Sequence, residues 1–325
     1  MSNKIFSILA CIVLAATAGC SGPLADDGKD IVLEGYTLLN GAMEALSLPG
    51  YDTSEKLWKK GDKLGLYSDH GQVNIEWNIR KTSEGMENAE FYGKAISGNL
   101  IAGYYPYGPS KRGDINGIPC TLPTVQRYTP GLSAAEYLIE NTECIHASLK
   151  DSALHFSYPF GLLNVDFDLY EQLPLTSLSI VSDSTIISGL LKIAHDGKVI
   201  REYPGKQYVD IDLGDAAIRT DAIAQAKGIH ILMPPALYDD LRIVIKTQDG
   251  KKMSFNIPEL EVKRIEKDVF TVQTVTIATT GTDILEQTDG YLEPTDYVVR
   301  VFELSYKDTS LEQTDGYLEP NETDE

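Results

Sequence analysis

Cysteine, histidine and positive charge are all scarce in this sequence of 325 residues. The chain has four cysteines and five histidines, and 28 lysines and arginines stand against 48 aspartates and glutamates, for a net charge of −20. Such an acidic surface repels the phosphates of nucleic acids, so nucleic acid is not expected as a partner. The histidines lie in separate segments, and no cysteine or histidine pair has the spacing of a zinc site, so no metal is expected.

The sequence also lacks the short motifs of common catalytic and cofactor sites. It has no Gly-x-Ser-x-Gly elbow and no glycine-rich phosphate loop. We interpret the paired carboxylates Asp26-Asp27 and Asp239-Asp240 as solvated tether or turn residues, because two carboxylates without a cleft do not define a glycosidase. Thr-Asp-Gly occurs twice, but without the ligand density of a calcium loop, so we interpret it as a solvated turn. We therefore expect no enzyme activity, no catalytic residues and no cofactor.

An apolar run near the N-terminus has the features of an export signal. Lys4 supplies a positive charge, residues 5–16 are mostly apolar, and small residues follow up to Gly19. The run is shorter than the roughly 20 residues that span a bilayer as a helix. We interpret residues 1–19 as a cleaved signal peptide.

The small residues end on Cys20, and Thr17-Ala-Gly-Cys20 resembles a bacterial lipobox. In a lipobox the cysteine becomes the first residue of the mature chain and carries acyl groups, which anchor the protein firmly in the membrane. Thr17 departs from the usual leucine, and ordinary cleavage nearby with Cys20 unmodified is the alternative. Residues 20–30 then form a lipidated tether, whose Asp26-Asp27 resembles a surface-export signal, so we expect an outer membrane lipoprotein at the cell surface.

Two cysteines remain after the leader is removed and Cys20 is lipidated. Cys120 and Cys144 could form a disulfide in an oxidising compartment, and the closed loop would contribute about 3.5 kcal/mol on the chain-entropy estimate. Two buried free thiols are the alternative, and the sequence does not decide between them.

Hydrophobic periodicity predicts an all-β protein. In VNIEWNI, residues 73–79, apolar and polar side chains alternate as in a half-buried antiparallel strand. Residues 134–140 predict a short helix, and residues 216–227 a helix or a long loop. Short strands with frequent turns and few helices favour β-sandwiches. Further strands are predicted at 30–39, 89–93, 102–107, 151–169 in two parts, 177–181, 186–193, 198–203, 228–233, 240–246 and 253–257.

An ordered set of motifs lies between residues 58 and 169. The motifs are Trp58 with Gly61-Asp-Lys-Leu-Gly-Leu-Tyr67, Phe91-Tyr-Gly93, Tyr104-Tyr-Pro-Tyr107, Leu122-Pro-Thr-Val-Gln-Arg-Tyr128 and Leu154-His-Phe156. In this order they resemble the fimbrillin family, the subunits of type V pili in anaerobic Gram-negative bacteria. The resemblance implies two tandem transthyretin-like β-sandwich domains, which we place at residues 31–170 and 171–282. It also makes strand packing the expected role of Tyr104, Tyr105 and Tyr107, rather than stacking on sugars.

The remaining residues, 283–325, form an acidic C-terminal extension. It contains 13 acidic residues against Arg300 and Lys307, and the decapeptide LEQTDGYLEP occurs twice in it, at residues 285–294 and 311–320. The residues between the copies, 297–306, predict a strand. One interpretation is a recent duplication that left one copy as a solvated end. The other is a strand that pairs with the sheet edge of a neighbouring subunit, as the C-terminal extension does in the fimbrillin polymers that this sequence resembles.

The resemblance implies a surface-anchored structural subunit in pilus assembly and cell adhesion. Its partners would be other fimbrillin-like subunits, joined by strand exchange, the outer membrane through the lipid on Cys20, and a ligand on a host or bacterial surface. Polymerising members are cut after an arginine, but no arginine precedes Arg80 here, which favours an uncleaved anchor or minor subunit. The alternatives are a lipoprotein outside any pilus that binds glycans or host ligands through a sandwich face, and a β-sandwich whose partner lies outside this chain.

Overall fold

The fold is given by a computed structural model of the chain. It describes residues 36–42, 58–81, 84–85, 88–111, 113, 116–150, 153–168, 175–202, 204–214, 228–247, 252–265, 269–279, 284–288, 291–294 and 297–307. The predicted signal peptide, Cys20, the predicted tether, residues 216–227 and the second decapeptide lie outside this part. Among the helices of the described residues, none is long and apolar enough to cross a membrane.

The described residues confirm the all-β prediction, because they form strands with a single helix, α1 (Ala134–Asn141). The strands are β1 (Tyr36–Ala42), β2 (Lys63–Ser68), β3 (Ile75–Ile79), β4 (Asn88–Lys94), β5 (Leu100–Tyr105), β6 (Ile118–Leu122), β7 (Val125–Arg127), β8 (Ile145–Lys150), β9 (Ala153–Ser157), β10 (Gly161–Asp168), β11 (Leu175–Ser182), β12 (Gly189–Ile193), β13 (Val199–Arg201), β14 (Tyr208–Asp212), β15 (Ile229–Met233), β16 (Ala236–Tyr238), β17 (Leu241–Thr247), β18 (Lys252–Asn256), β19 (Leu260–Val262), β20 (Val269–Thr279), β21 (Ile284–Thr288), β22 (Tyr291–Pro294) and β23 (Tyr297–Lys307).

The first sheet closes on itself as a barrel in the order β1-β4-β3-β2-β5-β8-β9. Closure comes from β1, which pairs antiparallel with β4 and parallel with β9. Trp58 is fully buried inside, with the ring centroids of Phe91, Tyr105 and Phe156 at 4.7, 5.2 and 5.4 Å, all in edge arrangements. Edge contacts of this kind stabilise a core beyond the apolar area that they bury.

Two glycines of the fimbrillin-like motifs let aromatic rings lie against the barrel strands. A Cβ atom on Gly65 would be 2.0 Å from Cε1 of Tyr104, and one on Gly93 would be 2.2 Å from Cδ1 of Trp77. Contacts this short are impossible, so any larger residue would push the rings out of place. The glycines are therefore required by packing.

The second body is a sandwich of two sheets. One has seven strands in the order β21-β22-β18-β17-β11-β14-β7, and the other has four in the order β15-β10-β20-β23. Apolar side chains from both sheets share one core, with Val165 and Ile231 from the four-stranded sheet and Ile180, Ile243 and Phe255 from the seven-stranded sheet. This shared core confirms the predicted sandwich for the C-terminal half.

Strand pairing crosses the predicted boundary between residues 170 and 171. β10 precedes that point, yet it pairs with β15 and β20 of the four-stranded sheet. β6 and β7 also precede the boundary. β6 pairs with β12 in a three-stranded sheet whose third strand is β13, and β7 joins the seven-stranded sheet beside β14. The division at residue 170 remains a prediction, and the pairing shows how closely the two halves are joined.

The single helix of the described part follows its sequence signals. Ser133 caps its N-terminus: its hydroxyl accepts from the Glu136 backbone N–H, and the Glu136 carboxylate accepts from the Ser133 backbone N–H at 2.8 Å. This capping box satisfies donors that the first turn leaves free. Ala135, Tyr137 and Leu138 form the buried side, so the predicted helix at 134–140 is confirmed.

Candidate subunit interface at the sheet edges

The extension after residue 283 supplies the outer strands of both sheets of the sandwich. β21 and β22, which hold most of the first decapeptide, pair antiparallel with each other. β22 then pairs parallel with β18, where Leu292 faces Met253. The first decapeptide copy therefore extends the seven-stranded sheet at one edge.

The next strand of the extension forms the edge of the four-stranded sheet. β23 pairs antiparallel with β20 along all eleven residues, from Val269 opposite Lys307 to Thr279 opposite Tyr297. The predicted strand at 297–306 is thus confirmed. Each of these pairs contributes to an unbroken main-chain ladder, which is the kind of contact that strand addition uses.

One face of β23 belongs to the sandwich core. Tyr297, Val299 and Val301 pack against the core, whereas Val298 on the other face is 41% exposed. The ring of Tyr297 lies edge-on to Phe255 in β18, with centroids 5.2 Å apart. This contact shows that the β18 edge of one sheet lies next to the β23 edge of the other, so both outer strands close the same side of the sandwich.

A polar contact fastens β23 further along. The Glu303 carboxylate accepts hydrogen bonds from Lys263 Nζ at 2.8 Å and from Gln273 Nε2 at 2.6 Å. The hydrogen bond and the charge of Glu303 raise the pKa of Lys263 above its ordinary value. Because Lys263 is half exposed, this ion pair fixes position more than it adds stability.

The opposite side of the sandwich is closed by a side chain. The side chain of Gln126 in β7 is buried, with 3% of the residue exposed. Its Nε2 donates to the carbonyl of Leu232 in β15 at 3.0 Å, and its Oε1 accepts from the Leu232 N–H at 2.8 Å. The amide group thus makes the two hydrogen bonds that a neighbouring strand would make. The Tyr137 hydroxyl also donates to Gln126 Oε1, at 2.9 Å. The edge of β15 is therefore occupied at Leu232, and the β18 and β20 edges are the ones that depend on the extension.

The remaining predicted site residues lie apart from these edges. Cys120 and Cys144 are buried in the core shared by the barrel and its neighbours. Tyr104 is fully buried and its hydroxyl donates to Asn74 Oδ1 at 2.6 Å, so it cannot be part of a sugar-stacking platform. His155 lies in β9, as predicted. Within the described ranges, no three histidine, cysteine or acidic side chains group as metal ligands would.

Two parts of the interface were missed in the sequence. From the sequence, Gln126 is interpreted as an ordinary polar residue of a strand. The residues next to it in sequence give no indication of a buried partner 106 positions away. The hairpin of β21 and β22 had a signal, because Asp289-Gly290 between two short runs is a strong hairpin pattern. We interpreted Thr-Asp-Gly as a solvated turn without assigning strands to its flanks.

Comparisons with known proteins give likenesses of structure. No protein-family model and no curated protein sequence matches the chain. A proposed cell adhesion protein of Bacteroides uniformis is 14% identical, with 85% of this chain and 99% of that chain covered and a TM-score of 0.46. The tip fimbrial protein Mfa3 of Porphyromonas gingivalis, with a C-terminal truncation, is 10% identical, with 82% and 98% covered and a TM-score of 0.39.

A fimbrial protein of Bacteroides vulgatus is also similar, at 10% identity, with 85% of this chain and 92% of that chain covered and a TM-score of 0.36. These neighbours are fimbrial and proposed adhesion proteins, the class of protein that the sequence resembles. All three TM-scores lie below 0.5, so the role proposed next rests on the geometry of this chain.

Proposed function

We propose that this chain is a fimbrillin-like structural subunit of fimbriae at the bacterial cell surface, that it takes part in assembly and adhesion, and that subunits associate by exchanging β-strands. The observation that carries the proposal is that residues 284–307 form the outer strands of both sheets on one side of the sandwich. Main-chain hydrogen bonds along such strands give affinity without a catalytic centre.

β23 is a strand that a neighbour could replace. It follows the rest of the sandwich in the chain, and it contacts the body through one ladder, one apolar face and the polar contacts of Glu303. Without it, the edge of β20 is open, and Val275 and Ile277, both fully buried, lose the strand partners Val301 and Val299. The same strand from a second subunit would restore these pairs, and an unpaired edge invites that pairing.

The second decapeptide supports exchange between subunits. Lys307 ends β23 at the far end from Tyr297, about 34 Å along the strand, and the hairpin of the first copy adjoins the Tyr297 end. Four peptide steps join Lys307 to Leu311, and an extended chain of that length reaches at most about 14 Å. The second copy has the same ten residues as the first, so it carries the same pairing groups and is suited to the β18 edge of a subunit whose own first copy is displaced.

The proposed subunit keeps its membrane anchor. On this proposal the leader directs export and the lipid on Cys20 holds the chain in the outer membrane, and the proposal is supported by the absence of an arginine before Arg80. Arg80 follows β3 directly, and its backbone N–H donates to the Glu90 carbonyl oxygen. Its guanidinium group also forms an ion pair with the Glu90 carboxylate at 2.7 Å. A protease would have to break the barrel to cut there, which supports an anchor or minor subunit that is not processed.

The test uses the extension as a separate peptide. A chain ending at Thr282 should capture a biotinylated peptide of residues 283–325 and, unlike the full chain, should fail to assemble with its partner subunits. Absence of capture by a truncated chain that keeps its β-sheet circular dichroism, or unchanged assembly after truncation, would contradict strand exchange.

Two matched peptides show whether capture uses the strand geometry. Val299→Asp places a charge on the face of β23 that contacts the core and should abolish capture. Val298→Asp places the same charge on the outer face and should bind nearly as well as the unchanged peptide. Equal binding of both variants would indicate attraction by composition rather than a registered strand.

A further inference from the structure

The body of the sandwich carries two hydrogen-bond donors for a carboxylate beside the β20 edge. Lys263 Nζ and Gln273 Nε2 both donate to one atom, Oε2 of Glu303 in β23, at 2.8 and 2.6 Å. Lys263 directly follows β19 and Gln273 lies within β20, so neither belongs to the extension. The edge that β23 occupies therefore has a polar site in addition to its ladder and its apolar core.

The backbone of Lys263 is held in place by contacts within the body. A Cβ atom on Gly161, the first residue of β10, would be 2.2 Å from the Lys263 carbonyl oxygen, so the two backbones approach closely. Val262 before it is buried, and Arg264 after it donates from Nε to the Tyr158 carbonyl at 3.3 Å. None of these contacts involves β23, so a departing β23 would leave them intact.

The site lies where the pairing of β20 with β23 changes from apolar to polar. Val301 is opposite Val275, and both pack in the sandwich core. Two residues further along, Glu303 is opposite Gln273, which is 6% exposed. Because side chains alternate along a strand, Glu303 and Val301 point to the same face. Both strands thus change from apolar to polar at the same position of the ladder.

The apolar residues alone do not fix this register. A slip of one residue would turn β23 over and is opposed by the whole core. A slip of two that placed Glu303 opposite Val275 would bury a carboxylate among apolar groups, which is costly. A slip of two in the other direction would place Val299 opposite Val275 and so keep an apolar pair. That slip moves Glu303 away from Lys263 and Gln273, so the loss of the carboxylate's hydrogen bonds opposes it.

Given the strand exchange proposed above, on which this step rests, we infer that Lys263 and Gln273 form a carboxylate site that sets the register of the added strand and selects the extension of a second copy of this chain. The added strand must present three apolar side chains at alternate positions and then a carboxylate. In this chain those residues are Tyr297, Val299, Val301 and Glu303. An exposed ion pair adds little affinity, but a mismatched charge repels, so the site acts mainly on selectivity.

The experiment exchanges the two charges between full chains that are co-expressed with two different affinity tags. Lys263→Glu and Glu303→Lys are each mismatched with copies of themselves, but each supplies the charge that matches the other. Either variant alone should give about tenfold less co-purification of the two tags than the unchanged chain, and the mixed pair should recover to within about threefold. Lys60→Glu makes the same charge change on an exposed turn of the barrel and should behave as the unchanged chain.

The outcomes separate the carboxylate site from strand exchange itself. If the unchanged chains co-purify and both variants do so equally well, alone and mixed, the site is overturned and strand exchange stands. If the unchanged chains do not co-purify, strand exchange and the site are overturned together.

A second measurement reads the register directly. One tagged chain carries Thr276→Cys, and the other carries either Arg300→Cys, which is opposite in the observed register, or Val298→Cys, which is opposite after the slip of two that keeps the apolar pair. Disulfides between the tagged chains should form mainly with the first partner. Adding Glu303→Ala should raise the ratio of the second product to the first about tenfold. An unchanged ratio would show that the carboxylate does not set the register.

Discussion

Replacing Gln126 with leucine should destabilise the fold severely, because the amide serves three buried groups at once. Leucine has a similar volume but no polar atoms. The variant therefore keeps the packing and leaves the Leu232 N–H, the Leu232 carbonyl and the Tyr137 hydroxyl without their partner. Burying an unpaired group costs about 1–3 kcal/mol, so the three together predict a loss of about 3–5 kcal/mol, allowing for some relaxation.

The contribution of the hydroxyl can be separated from that of the backbone pair. Tyr137→Phe removes the hydroxyl and leaves Gln126 bonded to Leu232, so it should cost about 1 kcal/mol. In the Gln126→Leu/Tyr137→Phe variant no hydroxyl is left unpaired. The free energy of unfolding that this variant loses should therefore be about 1–2 kcal/mol smaller than the sum of the losses in the two single variants. This coupling is what a double-mutant cycle measures.

The assay is urea unfolding of the four proteins, followed by tryptophan fluorescence and by circular dichroism. Gln126→Leu should lower the midpoint with an unchanged slope. A loss under about 1 kcal/mol would mean that water or a neighbouring group replaces the amide, and the β15 edge would then not depend on Gln126. Strict additivity in the cycle would show that the Tyr137 hydroxyl has another partner.

Three further predictions follow from the packing and the charges. Gly93→Ala should cost about 1–3 kcal/mol of stability, because its Cβ would collide with the Trp77 ring. Gly108→Ala should be close to neutral, because its Cβ would lie 3.3 Å from the nearest atom, Cγ of the flexible Lys111 side chain. The difference between the urea midpoints of the two variants is the measurement. Burial and the charge of Arg264 lower the pKa of His146 to about 4, below its value of about 6.5 in the unfolded chain. The contribution of neutral His146 to the free energy of unfolding is therefore complete above pH 6.5, and up to about 3 kcal/mol of it is lost as the pH falls to 4. His146→Gln should lose less stability over that interval, and parallel pH profiles would contradict this role. Glu303→Gln should lower the pKa of Lys263 and change stability by less than about 1 kcal/mol, as NMR titration and unfolding can show.

Local features were predictable from the sequence because their causes are local. The alternation in residues 73–79 identified β3, whose Trp77 and Ile79 are buried. Ser133 and Glu136 form the capping box that begins α1 at the predicted residue. In each case, a short run of residues carries both the signal and the interaction, so no knowledge of the rest of the chain was required.

Partners distant in sequence could not be predicted in the same way. Alternation shows which side chains face a core, but it does not show which strand lies next to which. Barrel closure depends on β1 meeting β9, more than 100 residues later, and β10 pairs with β20 at a similar separation. Gln126 is harder still, because a buried glutamine is identifiable only from the backbone groups that it satisfies.

The acidic extension shows how composition and structure can point in different directions. Its excess of acidic residues favours an extended, solvated segment, yet β23 is a full-length strand of the sandwich. The reason is the distribution of charge: Tyr297, Val299 and Val301, which face the core, are uncharged, and Glu303 meets Lys263 at the margin. Other acidic segments repel a strand of this composition, because their charges are alike. It pairs favourably where an apolar core and a matching cation occur together. If subunits exchange strands as proposed, the same selectivity would direct a neighbour's extension to the β20 edge and away from other exposed strands.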